Sequence, residues 1–178
     1  MIERSKAIAQ DAARGILIKT GSQSRPINVR KIIEDLGIIY LETDELEDHI
    51  SGFIKRTNKD GQPIIVVNGK HPKERRRFTA AHELGHFLLH SMNDFFIDKN
   101  EEKILFRKKN HGPLIDIKEI QANNFAAELL MPSDLLSKDL GDSISLEEAS
   151  LNVKIEMLSK KYDVSTQAMT IRIGSFLC

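Results

Sequence analysis

His82, Glu83 and His86 stand in the run His82-Glu83-Leu84-Gly85-His86, an HExxH sequence. On an α-helix, residues four apart lie one turn apart on the same face, so the two imidazoles can chelate a single Zn2+. Glu83 is turned by about 100° from His82. That keeps it out of the histidine face but within reach of an activated water, where it can serve as general base. The chemistry this pattern predicts is metal-assisted hydrolysis. Thr79, His82, His86 and His90 make one polar stripe on the same helix, and Phe78, Ala81, Leu84, Gly85 and Leu88 make an apolar one. A buried helix with a polar seam is what an internal metal site requires. Gly85 costs that helix about 1 kcal/mol relative to Ala, and it predicts that something approaches the helix closely.

A catalytic zinc needs a third protein ligand and an open position. The single cysteine, Cys178, is the last residue and supplies no ligand near the motif. His90 is eight residues from His82, about 12 Å along the axis of a rigid helix. It fits better as a polar residue at the helix's negative pole. The pattern HExxHxxGxxH is absent, since positions 89 and 92 are Leu89 and Met92. The ligand should then be a carboxylate on the next helix, Glu119 or Glu128. Glu119 shares its face with Asn123, which could orient a ligand histidine through a hydrogen bond. Ala122 and Ala126 nearby are small enough to let that helix come close. Glu119 also fits a capping box with Asp116. Glu128 is the alternative, in the run FAAELLMP whose apolar members should pack it away from a metal.

The elements that must position these residues are legible in the same way. Ile8, Ala9, Ala12, Ala13, Ile16 and Leu17 give helical spacing from Ile2 to about Thr20, closed by Gly21. Asn28 can cap a second helix that ends at Gly37. Residues 38–42, 51–56 and 63–68 read as strands, the last two as a hairpin. Pro63 suggests an edge position for PIIVVN (63–68), to which an extended substrate could add by main-chain hydrogen bonds. Pro72 opens the HExxH helix, which runs to about His90. The polar stretch from Ser91 to Leu114 reads as loop. Asp116 can cap a helix ending at Met131-Pro132, and Ser133–Leu140 is a short helix stopped by Gly141. A helix at 152–161, a turn at 162–164 and a Ser165-capped helix resemble a helix-turn-helix pair.

Composition excludes several classes. With 26 Lys and Arg against 26 Asp and Glu, a dedicated polyanion binder is not indicated. One cysteine excludes an internal disulfide framework and a Cys-rich zinc module. The start MIERSKAIAQDAARG puts charges where a signal peptide has its apolar core. No run approaches the ~18 apolar residues of a membrane span, so a soluble, cytoplasmic protein is expected. From Ser150 onward four basic residues offset two acidic ones. Thr166, Gln167, Thr170 and Arg172 could reach DNA, but phosphate-binding groups are few, and a structural or protein-contacting role is expected. KHPKERRR (70–77) is more basic and reads as a solvated first helical turn.

FTAAHELGHFLLH, EIQANNFAAELLMP and KKYDVSTQAMTIRI, with PINVRKIIEDLGI and PIIVVN upstream, resemble the ImmA/IrrE family of HExxH metallopeptidases. The combination of HELGH with E-x-x-A-N-x-F-A-x-x-L-L-M-P is the specific part. The resemblance implies that His82, His86 and Glu119 bind zinc and that Glu83 is the base. Many members carry an acidic residue just before the Ala-Asn pair; here it is Gln121, which leaves Glu119 as the match. It further implies an intracellular protein substrate, a helix-turn-helix repressor of a mobile element or stress regulon. The expected fold is α+β and zincin-like, with a small antiparallel sheet. The expected division is a metallopeptidase domain over 1–142 and a helical, HTH-like subdomain over 143–178. His111, Arg77 and His90 are the residues that could donate to the transition state. The alternative is an anti-repressor or regulator that binds its partner, or DNA, without cleavage.

Overall fold

Ala9, Ala13 and Leu17 recur at helical spacing in α1 (Ile2–Lys19) and are buried, while Ile8 and Ile18 remain exposed. Gly21 ends the helix at a φ of 63°, a conformation that a side chain would strain. Asn28 caps α2 (Val29–Asp35) by accepting the Lys31 amide at 3.0 Å. The computed structural model describes residues 2–22, 24–56, 61–90, 117–141 and 148–177. The polar stretch from Ser91 to Leu114, including His111, and the cap expected at Asp116 lie outside these.

β1 (Ile39–Thr43), β2 (Gly52–Arg56) and β3 (Pro63–Asn68) form one sheet in the order β1-β3-β2. β2 and β3 make the expected antiparallel pair, with Phe53 opposite Val66 and Ile54 opposite Ile65. β1 instead runs parallel to β3, with Ile39 opposite Ile64 and Leu41 opposite Val66. The sheet is therefore mixed, not antiparallel, and 63–68 is its central strand, not an edge. Pro63 misled because its missing N–H is tolerated at the first residue of any strand. The better signal is the unbroken apolar run Ile64-Ile65-Val66-Val67, the pattern of a strand covered on both faces. Val66 and Val67 are 4% and 0% exposed. Substrate addition to PIIVVN is excluded with the edge position. Among the described residues, the sheet's edges are β1 and β2.

α3 (Lys73–Leu89), which carries the HExxH residues, lies across β2 and β3. Pro72 is its N-cap and His90 its C-cap. α4 (Ile117–Leu130) packs between α1 and α3. α5 (Ser133–Leu140) follows, ending at Gly141 with a φ of 70°. α6 (Glu148–Tyr162) and α7 (Thr166–Leu177) are joined at Asp163, whose φ is 55°. Ser165 Oγ caps α7 by accepting the Ala168 amide at 3.1 Å. One apolar core runs through these elements, with Ala13, Ile54, Ile65, Leu84, Phe125, Leu129, Tyr162 and Met169. Among the described residues, no helix is long and apolar enough to cross a membrane.

The basic run 70–77 is solvated at Lys70, Lys73 and Arg75 and half-buried at Arg76 and Arg77, and its cations also make specific contacts. Arg75 donates to Ser51 Oγ at 2.8 Å and Arg76 to the Gly69 carbonyl at 2.9 Å. Lys73 pairs with Asp163 at 2.7 Å, and Arg77 Nε donates to the Asp163 carbonyl at 3.0 Å. The start of α3 is where the loop before β2 and the α6–α7 turn converge, so the cations staple both.

Arg172 is likewise withdrawn from any role on DNA. It is 6% exposed and donates to the Met131 carbonyl at 3.0 Å. Lys161 pairs with Asp139 at 2.8 Å, and Lys154 donates to the Leu140 carbonyl. On the C-terminal helix pair these contacts engage Lys154, Lys161 and Arg172. In a salt series, duplex DNA should bind no more tightly than about 10⁻⁶ M at physiological salt, the non-specific range. A complex at ~10⁻⁸ M or tighter would contradict this.

Candidate metal centre

α3 presents His82 and His86 one turn apart, with Nε2 atoms 2.9 Å from each other and ring planes at 74°. α4 brings Glu119 across from them. Glu119 Oε2 lies 3.5 Å from His82 Nε2, and Oε1 lies 3.3 Å from His86 Nε2. One donor atom from each residue falls within 4.8 Å of the others. Tetrahedral zinc, with bonds of about 2.0–2.2 Å, sets its ligands about 3.3–3.5 Å apart. Glu119 stands at that spacing from both histidines, and the two Nε2 atoms, 2.9 Å apart, need to open by only a few tenths of an ångström to share an ion. Two imidazoles and one carboxylate also form a known catalytic zinc set, leaving a fourth position for water or substrate. His86 forms the buried wall at 1% exposure, whereas the Glu119 side chain is 29% exposed.

Asn123 stands one turn beyond Glu119 and puts Oδ1 2.9 Å from His82 Nδ1. An amide oxygen only accepts, so Nδ1 carries the proton and Nε2 turns its lone pair to the centre. Glu83 is half-buried on α3 beside His82. Gly85 explains how the two helices come so close. A Cβ there would lie 3.0–3.2 Å from three atoms of Phe125, which is itself fully buried on α4. Gly85→Ala should improve the intrinsic helix preference by ~1 kcal/mol yet push α4, and Glu119 with it, off the histidines. A loss of about tenfold in zinc affinity is expected, measured by chelator competition on protein whose circular dichroism is unchanged. Unchanged affinity would show that Phe125 yields without moving the helix.

The other residues singled out in the sequence are placed elsewhere. Glu128 is fully buried among Ser133, Arg14 and Arg172, not at the metal centre. Arg77 is not poised over the three converging donors. It stands five residues before His82, about 140° round the helix, and is held by Asp163 and Tyr162. Burial lowers its pKa from the ordinary value, and the Asp163 carboxylate opposes that shift. His90 stays near the centre, its ring 5.3 Å from that of His86 and its Nε2 3.3 Å from the Lys118 carbonyl oxygen. It thereby bridges the end of α3 to the start of α4. Sequence reasoning missed Gly52. A Cβ there would meet the Val66 carbonyl oxygen at 2.5 Å and Thr79 Cγ2 at 2.7 Å. Only glycine lets β2 press against α3 one turn before His82, and a glycine opening a strand is the signal of such an approach.

Comparison with known proteins gives a consistent picture. The family described as IrrE N-terminal-like domain (Peptidase_M78) matches residues 33–174. An uncharacterized immunity region protein 2 of Bacillus phage phi105 is 30% identical over 136 residues, covering 76% of this chain and 76% of that protein. Metallopeptidase ImmA of Bacillus subtilis is 26% identical over 168 residues, covering 92% of this chain and 89% of its own length. Radiation response metalloprotease IrrE of Deinococcus deserti is 37% identical over 73 residues, 41% of this chain and 24% of that protein. Among solved structures, a Mycobacterium tuberculosis transcriptional regulator superposes with a TM-score of 0.56 at 17% identity. That likeness is one of fold, and it covers 94% of this chain but only 47% of the regulator.

Proposed function

The chain belongs to the IrrE N-terminal-like family of metallopeptidases, and on that premise we propose that it is a zinc-dependent intracellular endopeptidase whose substrate is a helix-turn-helix repressor. The observation that carries the reading is the convergence of His82, His86 and Glu119, whose donor atoms lie within 4.8 Å of one another, with Glu83 on the HExxH helix. The regulatory substrate is supported by similarity to a phage immunity region protein and a radiation response metalloprotease.

His82 and His86 would hold the ion through Nε2, and Glu119 through its carboxylate. When bound, zinc supplies Lewis acidity, lowering the pKa of a water toward about 7 and polarising the scissile carbonyl. Glu83 takes the proton of the attacking water and returns it to the leaving amine as the C–N bond breaks. Asn123 keeps the His82 ring in the tautomer that points Nε2 inward. An extended substrate is aligned on β2, which pairs only with β3 among the described residues and lies against α3 at Thr79. The C-terminal helices contribute packing and substrate contact more than DNA recognition.

The test is incubation of the full chain, with zinc, with purified helix-turn-helix repressors from the same cell. Discrete fragments should appear, disappear with a chelator and return when zinc is restored. A repressor that is bound but never cut would replace this reading with that of a non-cleaving anti-repressor.

A further inference from the structure

α4 carries two carboxylates on opposite sides. Glu119 and Glu128 are nine residues apart, half a turn out of phase, so one faces the histidines while the other faces away. Glu128 Oε1 accepts from the Ser133 amide at 3.1 Å and Ser133 Oγ at 2.7 Å. Arg14 of α1 lies 3.5 Å away, and Glu128 Oε2 pairs with Arg172 of α7. Arg172 also donates to the Met131 carbonyl, at 3.0 and 3.2 Å, just beyond the end of α4. The same helix pair grips α3. The Asp163 carboxylate stands between Lys73 at 2.7 Å and Arg77 at 3.3 Å, and the Asp163 carbonyl accepts from Arg77.

We propose that α6–α7 is a clamp that sets the position of α4 against α3, and hence of Glu119 against His82 and His86, with Arg172 and Asp163 as its positioning residues. The proposal rests on the reading of those three residues as a metal centre. A buried ion pair such as Arg172–Glu128 contributes little net stability compared with apolar packing of the same volume. What it adds is direction. At a side-chain radius of about 5–6 Å, a rotation of α4 by about 10° moves its carboxylates by about 1 Å. Functional constellations tolerate only about 0.5 Å. Apolar burial is non-directional, whereas a carboxylate held by an amide, a hydroxyl and a guanidinium is fixed in orientation as well as in depth. On α3 the Asp163 contact acts five residues before His82, along one rigid helix.

Two variants of the full chain test the clamp. Glu128→Gln with Arg172→Met removes the ion pair without leaving a buried charge, and Asp163→Gly removes the carboxylate while keeping the left-handed turn. Zinc affinity is measured by chelator competition at a temperature where circular dichroism shows the metal-free chain folded, and the visible spectrum of the Co2+-loaded chain reports donor geometry. Each variant should weaken zinc by about tenfold or more and change the Co2+ bands. A lowered Tm with unchanged zinc affinity and Co2+ spectrum would overturn the clamp while leaving the metal centre intact. A wild-type chain that binds no zinc would overturn the metal centre and the clamp with it. If the double variant fails to fold, Asp163→Gly decides by the same two readouts.

Discussion

Glu83→Gln is expected to give a folded, zinc-loaded chain whose peptidase rate is lower by at least about 100-fold, the scale of a lost general base. Glutamine keeps the length and shape of glutamate but cannot accept the proton of the attacking water. The three converging donors are His82, His86 and Glu119, and Glu83 is not among them. Metal content should therefore stay at wild-type level while turnover collapses. That separation is what distinguishes a base from a ligand or a packing residue. Undiminished cleavage by Glu83→Gln would place the base elsewhere. Loss of metal and activity together would make Glu83 a structural part of the site.

The second large effect separates the two glutamates of α4. Glu119→Ala removes one of three protein donors. If the ~10–16 kcal/mol of a four-ligand zinc site is divided evenly, the loss is about 3 kcal/mol, or about 100-fold in affinity. Folding should change little, because the Glu119 side chain is 29% exposed. Glu128→Ala should do the reverse. It leaves the Arg172 guanidinium buried without its carboxylate, a defect of about 3–5 kcal/mol in stability. The folded fraction should nevertheless keep zinc through dialysis, since a tenfold weaker site still fills. Metal content and thermal unfolding on the same samples make the comparison. Metal lost from Glu128→Ala and retained by Glu119→Ala would reverse the assignment.

The residues that were legible in sequence are those whose geometry is local. His82, His86 and the Glu119–Asn123 pair follow from helical phase alone, and the helix ends follow from Asn28, Pro72, Ser165 and the glycines. Residue spacing left Glu119 and Glu128 as alternatives, because the capping box and the ligand role use the same glutamate. The space between α3 and α4 separates them, through Gly85 and Phe125. Strand order was less legible. Pro63 suggests an edge, yet the unbroken run 64–67 marks the centre, and which neighbour runs parallel depends on contacts across 25 residues, as between Ile39 and Ile64. Arg77 needed only its phase on α3 to be excluded from the metal centre. Arg172 is different. A glutamate within FAAELLMP signals a buried charge that must be paired, but nothing in the sequence says that its partner lies 44 residues away.

Crystals of the full chain grown with zinc, measured above and below the zinc absorption edge, test the metal centre most directly. The expected anomalous map has a single strong peak about 2.0–2.2 Å from His82 Nε2, His86 Nε2 and a carboxylate oxygen of Glu119. A peak at any other donor set, or no peak between α3 and α4, would contradict it.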